Sequence, residues 1–329
     1  MPRPQMSFHA KRNLIMFTQR PLVHKVIMFL KRLVLPGFQK IPFWDVMKFF
    51  VESLVQGPFF QRAAAMTYYI FTALIPLFMA LISLLSFIGP ELQTNLLGFM
   101  QEVVPEYLLP AVNKIVNSLI EHQSGAVLYL SLALGIYLTF ISVNAIVTTL
   151  NLSYFDIDQR KAIKQLPISF TMVVVFLVVI IAACAIFIGA SLLVNYLTVS
   201  LFGSEALYQY AIAAIKWIML FILLYLFLAA LFYFAPYNKK YFKFFSSGAS
   251  FSTILLVVLL YALNYYFSHF NSYNLVYGSI GALLLIMLWL YWSCMAILIG
   301  FDLNVSISIA QAKRKDEHQK LKIKSSARE

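Results

Sequence analysis

Six apolar runs, each long enough to cross a bilayer, constrain this chain more than any other feature. A helix rises 1.5 Å per residue, so about 20 residues traverse a hydrocarbon core of about 30 Å. The runs lie near 63–88, 125–152, 166–197, 209–235, 246–268 and 279–303. The third is long for one crossing and is expected to tilt or project beyond the membrane. Composition agrees: 61% of residues are hydrophobic and 12% charged, against about 45–50% and about 25% in soluble domains. The expected fold is an all-α integral membrane protein built as a six-transmembrane-helix bundle.

Charge placement gives an orientation. Residues 1–62 hold ten Lys and Arg, the 153–166 loop three, the 236–245 loop three and the tail after residue 304 seven. The intervening loops, 89–124, 198–208 and 269–278, hold only Lys114. An excess of Lys and Arg marks cytoplasmic loops, so both termini are expected in the cytoplasm. The chain then divides into a basic N-terminal region (1–62), a membrane domain (63–304) and a basic, partly disordered tail (305–329). The net charge of +12 lies along cytoplasmic edges, where it suits anionic lipid headgroups. No nucleic-acid motif accompanies it. Membrane lipids are the expected partners, and a homo-oligomer or an envelope-protein partner is compatible with the same surface.

Two further segments are amphipathic. In 42–57, Phe43, Val46, Met47, Phe50 and Leu54 share a face, the pattern of a cytoplasmic interfacial helix. In 91–123, two short pieces separated by Pro105 and Pro110 suggest an outer amphipathic helical hairpin within 89–124.

Catalytic chemistry has little to stand on. The five histidines are scattered, and HExxH, GxSxG and Walker A motifs do not occur. Asp156 and Asp158 sit beside Arg160 and Lys161 at a span end, a surface charge cluster. Cys184 and Cys294 lie inside apolar runs and imply neither a disulfide framework nor a thiolate metal site. The expectation is a non-enzyme with no catalytic residue, metal or cofactor. All acidic residues fall outside the spans or at their ends, with Asp302 and Glu205 nearest. Lys216, inside the fourth run, either snorkels outward or finds a partner in the bundle.

The spans do carry uncharged polarity arranged by face. In the first, Ala65, Tyr69, Thr72 and Pro76 fall on one side, read as interior, and Met66, Ile70 and Leu74 on the other, read as lipid-facing. Arg62 marks the cytoplasmic end. The second span aligns Tyr137, Asn144, Thr148 and Asn151, the third includes Asn195, and the fifth Asn264. The sixth places Trp289 in a stripe of small residues that includes Ala296 and Gly300. Tyr68, Tyr69, Thr72, Pro76, Asn144, Thr148, Asn151, Asn195, Asn264, Trp289, Asp302 and Asn304 are the candidate lining of a substrate path. Two readings stay open: a polar, aromatic-lined cavity opening toward the cytoplasmic leaflet, and interhelical hydrogen bonds worth about 0.6 kcal/mol each.

Three stretches, "RAAAMTYYIFTALIPLF" from Arg62, "SSGASFSTILL" from Ser246, and "YGSIGALLLIMLWLYWSCMAILIGFDLN" ending at Asn304, resemble the YihY/BrkB family of bacterial inner-membrane proteins. In this chain Gly300-Phe301-Asp302-Leu303-Asn304 stands where that family usually reads glycine-alanine-glutamate-x-asparagine. The resemblance implies six spans and a cell-envelope role, with virulence or serum resistance in some members and lipid transport proposed for relatives. Members have also been labelled ribonuclease BN, a label without support in these residues. The leading expectation is a transporter or flippase-like conduit for an amphipathic envelope molecule such as a lipid. The alternatives are an envelope-organising protein that transports nothing and an ion-coupled exporter using Asp302.

Overall fold

A computed structural model describes residues 37–38, 41–56, 58–88, 125–152, 162–198, 205–236, 242–269 and 279–326, with isolated positions between 98 and 117. Within these residues the fold is entirely helical: α1 (Phe43–Gln56), α2 (Phe59–Ile88), α3 (Gly125–Asn151), α4 (Ala162–Thr198), α5 (Glu205–Phe234), α6 (Ser247–His269) and α7 (Ser279–Ser326). Helices α2 to α7 each contain a stretch long and apolar enough to span a membrane. The expected outer hairpin, 89–124, lies outside the described residues apart from those isolated positions, as does most of the N-terminal region.

Local chemistry sets the helix boundaries. Pro58 separates α1 from α2, because a proline disfavours helical geometry in the residue before it. Its carbonyl then accepts the Arg62 N–H at 2.9 Å, opening α2. Ser246 caps α6: its Oγ accepts the Ala249 N–H at 3.3 Å, one of the donors a helix start leaves unpaired. Asp45 lies in the first turn of α1, where a negative charge favours the helix dipole.

Each membrane helix packs against the next in sequence, and α7 returns to α2, closing a ring. The most extensive of these contacts joins α2 and α3, and α1 lies on α7. One apolar core draws on all six membrane helices: Phe59 and Met66 of α2, Val147 and Leu150 of α3, Met172 of α4, Leu228 and Phe232 of α5, Ala249 of α6, and Leu298 and Phe301 of α7. Every contributing segment lies toward the end of the ring that carries α1. The rings of Phe232 and Phe301 meet edge to face at 5.5 Å within it.

Burial is strongly unequal along the bundle. In α5, Leu228 to Phe232 are buried at five consecutive positions, hence on every side of the helix. From Ala213 to Phe227 none is buried. The same change occurs in α4 after Val173, among described side chains, and in α6 between Ile254 and Tyr266. By contrast, α3 keeps Ser131, Gly135 and Thr139 buried, and α7 keeps Leu285 and Leu290. Thus α4, α5 and α6 lose packing away from the α1 end, while α2, α3 and α7 remain in closer contact.

Three expectations change. In α2 the buried stripe is Phe59, Arg62, Ala63, Met66, Thr67 and Ala73, whereas Ala65 is exposed. The interior and lipid-facing sides are therefore rotated from those expected, because contact with the neighbouring helices, not side-chain polarity, decides burial. Residues 305–326, expected to belong to a partly disordered tail, continue as helix: α7 runs on to Ser326, 48 residues in all. At 1.5 Å per residue that is about 72 Å, well over twice a bilayer core. Finally, the α1 segment does more than rest at a surface. Its Val46 is fully buried against Leu303, Ile307 and Ala310 of α7, and with Phe38 and Ile41 they form a second apolar cluster.

Candidate functional site: a buried ion pair and a polar seam

Arg62 and Asp302 form an ion pair at 3.0 Å, their side chains 2% and 0% exposed. Arg62 comes from the first turn of α2 and Asp302 from the middle of α7, 240 positions apart. The guanidinium is fully engaged. Nη1 donates to both carboxylate oxygens, at 3.1 and 3.0 Å, and Nη2 to Oδ1 at 3.2 Å. Nε donates to the Thr149 carbonyl at 3.0 Å and Nη2 to the Leu150 carbonyl at 3.3 Å. Those carbonyls belong to the last turn of α3, where a helix has no intrahelical donor left and carries partial negative charge. Ser53 of α1 completes the set, its Oγ donating to Asp302 Oδ2 at 3.1 Å. Four helices thus converge on one carboxylate and one guanidinium. Arg62 does stand at an end of its span, and its side chain turns inward to the Asp302 carboxylate and the end of α3.

Two residues on, Asn304 fastens α7 to the start of α6. Its Oδ1 accepts the Gly248 N–H at 2.9 Å and its Nδ2 donates to Ser246 Oγ at 2.8 Å. The helices cross closely here. A Cβ at Gly300 would run into Ser252 and the Gly248 backbone, and one at Gly248 into the Gly300 carbonyl. Ser252 Oγ donates to the Ala296 carbonyl at 2.9 Å. The small stripe on the last span therefore meets α6 through Ala296 and Gly300.

A separate polar seam joins α3 and α4. The two N–H groups of Gln165 Nε2 face three acceptors, the Asn144 backbone carbonyl at 3.1 Å, Asn144 Oδ1 at 2.9 Å and Thr148 Oγ1 at 2.6 Å, and the Thr148 hydroxyl donates to that same carbonyl at 2.8 Å. Ser169 Oγ donates to Asn144 Oδ1 at 2.9 Å. Gln165 and Ser169 are buried. Asn151 Nδ2 bridges to the Val147 carbonyl at 2.8 Å and to the Ala235 carbonyl, at the end of α5, at 2.9 Å.

The remaining candidates are dispersed. Tyr68 is exposed, and its ring meets that of half-buried Tyr69 edge-on at 5.5 Å. The Tyr69 carbonyl accepts Thr72 Oγ1 at 2.9 Å and also the Ser142 hydroxyl of α3. Pro76 stands where α2 meets Gly135, a position whose added Cβ would approach the Pro76 carbonyl at 3.2 Å. Asn264 is half-buried in α6, and Trp289 is half-buried in α7 with its carbonyl accepting Ser293 Oγ at 2.8 Å. Asn195 lies on α4, its side chain outside the described set. The structure therefore brings Tyr68, Tyr69 and Thr72 together on α2 and Asn144 and Thr148 together on α3, and pairs Asp302 with Arg62, which was not among the candidates. Sequence reasoning missed Arg62, Ser53, Gln165 and Ser169. Gln165 and Ser169 had a readable signal, two polar residues four apart on one helix face. Ser53 had none. Among the described residues, no group of three or more His, Cys, Asp or Glu side chains could hold a metal ion.

Comparison with known proteins places this arrangement. The family described as "Virulence factor BrkB" matches residues 50–324, from within α1 almost to the end of α7. A Bacillus subtilis (strain 168) protein named as ribonuclease-like, YfkH, is 25% identical over 247 residues, 74% of this chain and 88% of that protein. A UPF0761 membrane protein of Histophilus somni (strain 2336) is 25% identical over 267 residues, 79% of this chain and 89% of the relative. Another, from Psychrobacter sp. (strain PRwf-1), is 24% identical over 287 residues, 82% of this chain but 51% of that longer protein. No solved structure matches the chain. The matched segment holds the ion pair, the α6–α7 crossing and the polar seam, and it shows that this membrane protein belongs to the BrkB family.

Proposed function

We propose that this protein is a conduit for an amphipathic membrane molecule such as a lipid, in a conformation shut at the α1 end. The observation that carries the reading is the unequal burial: five consecutive buried positions in α5 at the α1 end, and none from Ala213 to Phe227. A helix serving only as an anchor in a packed bundle would bury one stripe along its whole length. Here α4, α5 and α6 bury no described side chain in one half of the bundle. Amphiphiles can reach such a half from the bilayer, while the Arg62–Asp302 knot and the apolar core close the other. Charged groups within membrane-embedded helices are costly and mark functional elements, and a buried ion pair is poorly explained as a stability device.

By the positive-inside rule the shut end faces the cytoplasm, and the family resemblance makes the membrane the bacterial inner membrane. In this reading the protein is not a ribonuclease: its buried charge, Arg62 with Asp302, is spent on itself inside the bundle. A non-transporting organiser of the envelope is the second reading. The Asn144–Gln165–Ser169 hydrogen bonds favour it, since they hold helices together.

Reconstitution decides between the two. Proteoliposomes of phosphatidylcholine carrying a trace of fluorescent phospholipid should exchange the label between leaflets faster than empty vesicles. Asp302→Asn, which weakens the shut end, should change that rate. Exchange equal to that of empty vesicles would sink the conduit reading and leave the organiser.

A further inference from the structure

The polar seam between α3 and α4 has one donor and one acceptor to spare. Gln165 Nε2 is the nitrogen, not the oxygen, because it faces the Asn144 backbone carbonyl, which can only accept. That fixes the Asn144 amide as well: its Oδ1 receives the Gln165 and Ser169 donors. Asn144 Nδ2 and Gln165 Oε1 are then left without hydrogen-bond partners among the described residues, although Gln165 is only 8% exposed. Asn144 is half-buried and Thr148 beside it is exposed, so the seam is open on that side.

The seam also lies at the foot of an opening. Counting from Asn151, Asn144 is about 10 Å along α3 from its α1 end. The face of α3 that carries Asn144 and Thr148 continues through Tyr137, Ala133 and Leu130, seven, eleven and fourteen residues back from Asn144, all exposed. The matching face of α4 turns instead to α5, where Phe176 meets Phe227 at 5.8 Å. Beyond the seam, therefore, α3 presents an apolar, tyrosine-bearing face without α4 upon it.

We infer that the α3–α4 seam is a headgroup site for an amphiphile whose headgroup is uncharged and bears a hydroxyl. A hydroxyl both donates and accepts, so it answers Asn144 Nδ2 and Gln165 Oε1 together, whereas an ionised phosphate only accepts and would confront the Gln165 oxygen. The acyl chains lie along Leu130, the small Ala133 and the Tyr137 ring. The site rests on the conduit reading for its purpose but not for its existence, because binding needs no transfer between leaflets.

The test uses the full-length protein in phosphatidylcholine vesicles with a photoactivatable diacylglycerol. Labelling should map to α3 or α4 beside Tyr137. Excess dioleoylglycerol should compete, and dioleoylphosphatidic acid should not. Asn144→Ala removes the spare donor, together with the acceptor that Gln165 and Ser169 share, and should reduce labelling by about tenfold or more. Tyr137→Ala, outside the hydrogen-bonded seam, guards against misfolding and should reduce labelling with an unchanged melting temperature. Equal competition by phosphatidic acid, labelling confined to other helices, or labelling untouched in both variants would overturn the site. Leaflet exchange measured on the same vesicles separates the two ideas. Exchange with labelling elsewhere removes this site and keeps the conduit, and labelling here without exchange does the reverse.

Discussion

The Arg62–Asp302 pair shows how one residue can be costly alone and satisfied in company. Asp302→Ala should destabilise the protein by about 3–5 kcal/mol, because it leaves a guanidinium buried without its counter-charge. Replacing both partners, Arg62→Met with Asp302→Leu, should recover much of that loss, since the two desolvation costs vanish together. Thermal unfolding in detergent measures both, and a double variant no better than Asp302→Ala would refute the coupling. Gly300 offers a different residue-scale test. Gly300→Val should break the α6–α7 crossing, because a side chain there meets the Gly248 backbone carbonyl as well as the Ser252 hydroxyl, and the backbone cannot turn aside. Loss of folded, monodisperse protein on size exclusion is the expected outcome, with Gly189→Ala as a control, where an added Cβ meets nothing within 4 Å.

At the scale of elements, α1 and the extension of α7 act as one unit. Val46 is wholly buried, Phe43, Phe49 and Phe50 pack around the same cluster, and Lys313 lies over the Phe49 ring at 5.8 Å. Val46→Asp should detach α1 and expose the Asp302 environment through the loss of Ser53. The milder Ser53→Ala should cost about 1.5–3 kcal/mol, a single hydrogen bond to a charged acceptor. Hydrogen exchange checks the arrangement: amides of α7 near Ile307 should be protected in the parent protein and exchange faster in Val46→Asp. Protection unchanged by that substitution would mean α1 does not support α7. The sequence pattern of 42–57 correctly gave an amphipathic helix, but its apolar face meets protein as well as any membrane surface. Periodicity reports that a face will be covered and is silent on what covers it.

For the whole molecule, unequal burial makes a prediction independent of any substrate. Spin labels at Leu228 and Ile218 of α5, ten residues apart, should differ sharply in mobility: immobilised at Leu228, mobile at Ile218. Similar mobility at both sites would remove the basis for an opening in that half.

Number and order of the membrane helices were legible from the sequence by itself, because a bilayer demands about 20 apolar residues per crossing and tolerates few charges. So was the family resemblance, carried by stretches around Arg62, Ser246 and Asp302. What those stretches do was decided only in three dimensions. Arg62 reaches Asp302, Asn304 reaches Ser246 and Gly248, and all three stretches meet at the α1 end. The rotation of α2, the continuation of α7 and the Gln165–Asn144 seam were equally hidden. In a span that is apolar on every side, a single sequence carries almost no moment to indicate which side neighbours will cover. Helix–helix contact and the pairing of buried polar groups settle that choice, and both exist only once the chain has folded.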